Sequence, residues 1–589
     1  MARQGLRACF DAEGAHFTGA RNLSLHLAAF GRGGKLAPVD PVPPEIDGNG
    51  VRYRHGKLTG WWRVLPVGFE QGFTIAERPS GPGKLVLALS TSRRPRESRD
   101  SVRESIRAAE PARAKARGRD SKPDWIPASA GMTEKSSDRA ISWGKLRYGK
   151  LVVTDAEGKV IPATIGIAGK PAPTGGHDRA GTRILIAVNE ARAVYPLSVD
   201  PVVWLEQRVV ASDGVAQDWF GSSVAISGKT ALVGAPNVTV DGYAYRGAVY
   251  VFTETGGTWT QTARLTAGDG VTGDEFGYSV ALDGTIAVVG ALGVSFDNKG
   301  GAGAAYVFVE SGGSWSQVAK LTASDATFHA RLGQSVAVSG RNALVGAPFA
   351  NVNGNEGQGA AYVFSLSGGA WTQTREFSPN GCGGCGWSVA IDGGTALVGT
   401  DYTDFEGSAV YVFTESGGNW SLAQELTPNG SGFGVAVAID GTTALIGAPL
   451  AYAGGHQGQG KAYVLEKFGS TWLLVATLAA SDGAEEDYFG YSVDVDGTTA
   501  LIGAKAADVG GNLDEGAAYV FDKAGGGWVE TLKFTASDAA AGVEYGTWVA
   551  LSGTTALVGA PHADIDGTFD QGAAYFYGGS DLALAVSAP

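Results

Sequence analysis

Phe220-Gly221-Ser222-Ser223-Val224-Ala225-Ile226-Ser227-Gly228-Lys229-Thr230-Ala231-Leu232-Val233-Gly234-Ala235-Pro236 is the stretch that decides the fold. Ser223 to Ile226 alternates in the period of two that a half-buried strand requires, and Ser227-Gly228 is a short turn. The run from Ala231 to Ala235 is apolar throughout, as in a strand covered on both faces, and Pro236 ends it. Gly-Ala-Val-Tyr-Val-Phe at 247–252 supplies a third strand, and a fourth opens at Trp259. Four short strands in sequence predict an antiparallel meander, a sheet too small to bury both of its faces.

The same four-part unit recurs seven times between Phe220 and Tyr577. Its leading Phe-Gly returns at Phe276, Phe433 and Phe489, and in altered form as Leu332-Gly333, Cys385-Gly386 and Tyr545-Gly546, at spacings of 56, 56, 53, 48, 56 and 56 residues. Neighbouring units must therefore cover one another's faces. Trp259, Trp315, Trp371, Trp420, Trp472 and Trp528 open the fourth strands of units one to six, whereas unit seven stops at Gly578-Gly579-Ser580 without one. The missing strand lies upstream: Trp204 to Asp213 matches Trp259 to Asp269 with one residue fewer. The predicted fold class is all-β, a seven-bladed β-propeller over 201–579 closed by an N-terminal outer strand and preceded by a smaller β-rich domain. Closure removes the edges that would otherwise invite aggregation.

These residues resemble the FG-GAP repeat of integrin α chains, over about 375 residues from 204 to 579. The resemblance implies a seven-bladed propeller, an extracellular or cell-envelope setting and a role in adhesion. Calcium-binding members carry a long Asp-rich loop between the first two strands of a blade. Here two-residue turns such as Asp283-Gly284 and Asp440-Gly441 stand instead, with too few oxygens for the ion, so that site is not carried over.

In a meander the second-to-third connections share a face with the links between blades. They are long and differ in every unit (237–246, 292–302, 349–358, 401–406, 450–459, 505–515, 562–571), so this face is the expected binding surface. Its candidate ligand-binding residues are Asp241, Asp297, Asn353, Asp404, His456 and Asp514. Asp564-x-Asp566-Gly567-x-x-Asp570 is the candidate metal site, calcium being the cation its carboxylates suit; no cofactor is otherwise required. The face also gathers acids such as Asp269, Asp274, Asp482 and Asp487. Cys382-Gly-Gly-Cys385 reads either as a local disulfide or as two thiols. No nucleophile, base or phosphate-loop pattern stands out.

Residues 1–200 contain strand-like runs interrupted between 93 and 139 by a basic segment without strand pattern. Phrases at 68–74 and 146–155 resemble a leader domain found before such propellers, and 580–589 resembles the opening strand of an Ig-like repeat. A net charge of -13 argues against nucleic acid as partner. No apolar run is long enough to span a membrane and no secretory leader is visible, so either the protein stays inside or the true start lies upstream; the Ig-like resemblance at 580–589 makes incomplete termini the expectation. The expected function is a monomeric, non-catalytic binding or adhesion protein whose partner is a protein or glycan on an extracellular surface. The alternative is a secreted hydrolase using acids of the propeller face.

Overall fold

Each repeat folds as its hydrophobic pattern dictates. In the first unit the strands Ser223–Ser227, Thr230–Ala235, Ala248–Glu254 and Trp259–Leu265 form one antiparallel sheet in chain order. The two middle strands are buried almost throughout, and the outer strand alternates buried and exposed. This computed structural model describes residues 7–93, 141–168, 183–400, 408–427 and 432–586, apart from stretches of one to four residues. Asp404 and most of the basic segment lie outside the described residues. Among the described residues there is no helix; the chain is all-β.

The chain divides into two compact units, 1–205 with 581–589, and 206–580. In the first, one sheet runs from Ala163–Ala168 through Arg183–Val188, Leu85–Arg93, Leu23–Arg32 and Gly14–Thr18 to Arg7–Asp11, which pairs in parallel with Ala583–Val586. A second is built on Gly50–His55, Leu58–Leu65 and Gly68–Ile75. Their core gathers Phe10 and Phe17 edge-on to Trp62, with Phe73, Leu87 and Ile186.

In the second unit six four-stranded sheets of consecutive strands follow one another from Ser223 to Phe534. Three more strands, Val549–Ser552, Thr555–Ala560 and Ala573–Gly578, complete the series, and the last pairs antiparallel with residues Glu206 to Val209. The register Glu206↔Tyr577, Gln207↔Phe576, Arg208↔Tyr575 explains the residue missing from the sequence match. The other six outer strands carry a bulge at this point, as between Val251 and Phe252, and this one runs without it. Trp204 was expected to open this strand; its backbone pairs with Arg147, and the described pairing to the repeat region runs from Glu206 to Val209.

Neighbouring sheets interlock through repeated side-chain positions. Trp259 stacks on Phe576 with ring centroids 4.2 Å apart, and Phe377 on Phe413 at 3.8 Å. Gln207 both donates to the Trp259 carbonyl (2.6 Å) and accepts from its amide (3.0 Å). Gln424 does the same with Trp472. Cys382 and Cys385, both buried, are joined as a disulfide in the link before the fourth sheet, which decides between the two readings of that pair.

Candidate binding face

The second-to-third connections and the links between sheets do lie together. Gly303 forms a parallel bridge with Leu332, Gly359 with Cys385, Gly460 with Phe489, Gly516 with Tyr545, and Phe220 with Gly572. Each bridge joins the end of one variable connection to the link entering the next sheet.

Within six connections the chain makes a small hairpin, closed by the bridges Val240↔Tyr243, Phe296↔Lys299, Val352↔Asn355, Ala453↔His456, Val509↔Asn512 and Ile565↔Thr568. Both central residues of each turn have positive φ, for example Asp241 (52°) with Gly242 (83°) and Asn353 (50°) with Gly354 (87°). This is the turn that matches strand twist, and it selects Asn, Asp or Gly because other side chains crowd the backbone there. Asp241, Asp297, Asn353 and Asp566 hold one equivalent position, dictated by the backbone. Asp514 (51°) and Asp570 (49°) hold a second positive-φ position four residues beyond the first. His456 follows the Gly454-Gly455 turn and is exposed.

The Asp564–Asp570 segment closes on itself. Asp564 Oδ1 accepts the Asp570 amide at 2.9 Å, as Asp508 accepts that of Asp514 (3.0 Å) and Asn351 that of Gly357 (3.0 Å). Ser295 makes the same closure to Gly301 at 3.2 Å, so a hydroxyl serves where a carboxylate stands elsewhere. His562 Nδ1 lies 3.5 Å from Asp570 Oδ1. Among the described residues no three His, Cys, Asp or Glu side chains converge as a metal site would require.

Much of the acidity is used internally. Asp269 accepts from the Tyr306 hydroxyl (2.9 Å) and Lys320 (2.6 Å); Asp482 pairs likewise with Tyr519 and Lys533, and Asp538 with Tyr575 and Arg208. Asp218, Asp274 and Asp487 are buried and accept the amides of Val215, Val271 and Ala484, each at 2.7 Å. Burial pushes these three carboxyls above the usual range against those hydrogen bonds.

Beside exposed acids such as Asp508, Asp514 and Asp564, the face presents aromatic rings outward. Trp219, Tyr243, Tyr245, Phe328, Tyr452 and Phe569 are 37–64% exposed, all of them on variable connections or links. Several are held in place: Arg246, itself buried, pairs with Asp241 (2.9 Å) and lies over the Tyr243 ring, and Trp219 meets His562 edge-on at 5.2 Å. Sequence reading weighted loop charge and passed over these rings, although an aromatic recurring inside polar loops was the available signal.

A family model described as FG-GAP repeat matches residues 204–252, 259–308, 315–364, 420–465, 472–521 and 528–577. The segment between 364 and 420, which contains the disulfide, falls outside those matches. Among solved structures, the periplasmic gluconolactonase of Pseudomonas aeruginosa is 15% identical over 66% of this chain and 96% of its own, with a TM-score of 0.35. No curated protein matches the chain.

Proposed function

We propose that this chain, which belongs to the FG-GAP repeat family, is a non-catalytic binding or adhesion protein of the extracellular space or cell envelope, built as a seven-bladed β-propeller. The exposed aromatic set on the variable connections carries this reading. Rigid rings on a fixed scaffold give large contact area at small entropic cost, and such residues dominate protein and glycan recognition. The seven first strands surrounding one cavity support the blade count. The disulfide supports an oxidising compartment. No helix among the described residues is long and apolar enough to cross a membrane.

The hydrolase alternative needs two carboxylates about 5–10 Å apart in one pocket. The cavity encircled by the seven first strands has a single carboxylate in its lining, Asp494, and this favours binding over hydrolysis.

The test is retention of the labelled chain on a glycan array and on whole cells. Replacing Tyr245, Tyr452 and Phe569 together by Ala should abolish retention while leaving the melting temperature near that of the native chain. Undiminished retention would reject the face, and turnover of a glycoside or lactone by the native chain would reject a non-catalytic role.

A further inference from the structure

The cavity enclosed by the seven first strands has a volume of about 390 Å³. The repeat makes its wall almost uniform. At the position that pairs with the central Leu or Val of each second strand stand Ala225, Ala281, Ala337, Ala390, Ala438 and Ala550. In the sixth unit that position is Asp494, paired with Leu501. Among the described residues no Lys, Arg or His lines the cavity, so Asp494 is the one charged side chain in that lining and has no counter-charge within it.

The carboxylate is surrounded by protein yet reached through the cavity. It accepts the amides of Leu551 (2.6 Å) on the adjoining first strand and of its neighbour Val495 (2.9 Å). Two hydrogen bonds leave acceptor capacity unused on a group with about four lone-pair sites. One acceptor in the lining has no partner: Gln334, 7% exposed, donates through Nε2 to the Tyr278 hydroxyl, and its Oε1 has no hydrogen bond. The residues beside the recurring glycines add Tyr278, Trp387 and Tyr491 to the lining, which also includes Trp548. A chamber with an isolated carboxylate, a free amide oxygen and aromatic rings matches a guest that brings positive charge, N–H donors and an apolar body.

We infer that the central cavity is a binding site for a small primary alkylammonium ion, with Asp494 as its counter-charge and the aromatic collar around its hydrocarbon part. Its aromatic collar directly follows the links on the loop face, but the site does not depend on the partner proposed there. Burial and the neighbouring charges of Asp496 and Asp440 favour the protonated acid, against the Leu551 and Val495 amides. Binding should therefore strengthen as pH rises through neutrality, where the carboxylate forms.

Ligand-observed NMR titration of the full chain with n-butylammonium, butan-1-ol and tetramethylammonium tests this. At pH 8.5 the native chain should show saturable butylammonium binding below about 10 mM. Asp494→Ala, the residue of the six sister strands, should weaken it about ten-fold or more, and so should the isosteric Asp494→Asn. Butan-1-ol should bind no better to the native chain than to either variant. Undiminished butylammonium binding in either folded variant, or no saturation in the native chain, overturns the assignment. Tetramethylammonium binding that matches butylammonium and survives both substitutions would place the site on the aromatic collar alone and equally overturn it.

Discussion

The Gly228 amide donates to Ser552 Oγ at 3.1 Å across 324 residues of chain. It is one member of a cycle. Gly284 donates to Ser227, Gly340 to Asp283, Gly393 to Ser339, Gly441 to Asp392, Gly497 to Asp440 and Gly553 to Asp496. Each first turn is thus tied to the turn of the preceding unit, and the first unit is tied to the seventh. The Ser537 hydroxyl bonded to Glu206 repeats, between the sixth and seventh units, the contact that Ser481 makes with Glu530 between the fifth and sixth.

Because Gln207 forms two hydrogen bonds with the Trp259 backbone, Gln207→Ala should destabilise the repeat region by about 1–3 kcal/mol. Gln424→Ala removes the equivalent clasp on Trp472 and should cost a similar amount. Urea unfolding of the two variants checks both the size and the equivalence. A clear loss for Gln424→Ala with none for Gln207→Ala would mean that the closure contributes nothing in solution.

The tyrosine–aspartate clasps predict an asymmetry. Tyr519→Phe removes a donor and leaves Asp482 paired with Lys533, a loss of about 1 kcal/mol. Asp482→Ala strands the hydroxyl of a fully buried tyrosine and frees Lys533, and should cost about 2–3 kcal/mol. The two melting curves should separate in that order, and the reverse order would show that the carboxylate is dispensable.

At Asp566 the positive φ, rather than the charge, is the requirement. Asp566→Asn and Asp566→Gly should melt with the native chain, whereas Asp566→Val should cost about 1–2 kcal/mol. Millimolar calcium and chelator should leave each of the four melting temperatures unchanged. A calcium-dependent rise in the native chain, lost in Asp566→Asn, would give this segment back its role as a metal site.

Asp494 makes stability depend on pH. Its carboxyl is pushed up to about 7 by burial, above the usual unfolded value near 4. Between those values the folded chain holds a proton that the unfolded chain has released, so this group's contribution is complete below about pH 4 and is lost as pH climbs through 7. The stability of Asp494→Ala relative to the native chain should therefore rise from pH 4 to pH 8, on top of a pH-independent loss from the Leu551 and Val495 amides left without their acceptor. A difference that stays constant between pH 4 and pH 8, or that moves toward the variant on acidification, contradicts the shift.

The strands and turns were legible because their causes are local. Alternation at 223–226, the apolar run at 231–235 and the Asp-Gly and Asn-Gly pairs each state a backbone requirement within a few residues. Asp564 was read as a metal ligand from acid-rich spacing, and spacing alone does not reveal that one of its carboxylate oxygens accepts the amide of Asp570, six residues on. Asp494 escaped notice although its signal was present: superposing the seven first strands sets it against six alanines. Within Ser492-Val493-Asp494-Val495-Asp496 it looks like one more polar position of an alternating strand, and only the ring gives that position a shared, enclosed interior.

By itself the sequence determined that this protein is a succession of like β-units, because hydrophobic period and turn chemistry act over a few residues and were repeated in order. The tertiary structure decided which acids are spent on neighbouring tyrosines and amides, which aromatic rings are left facing solvent, and that one aspartate meets six alanines across a common cavity. Those outcomes depend on residues tens to hundreds of positions apart being brought within hydrogen-bonding distance, and no local pattern in the chain records that meeting.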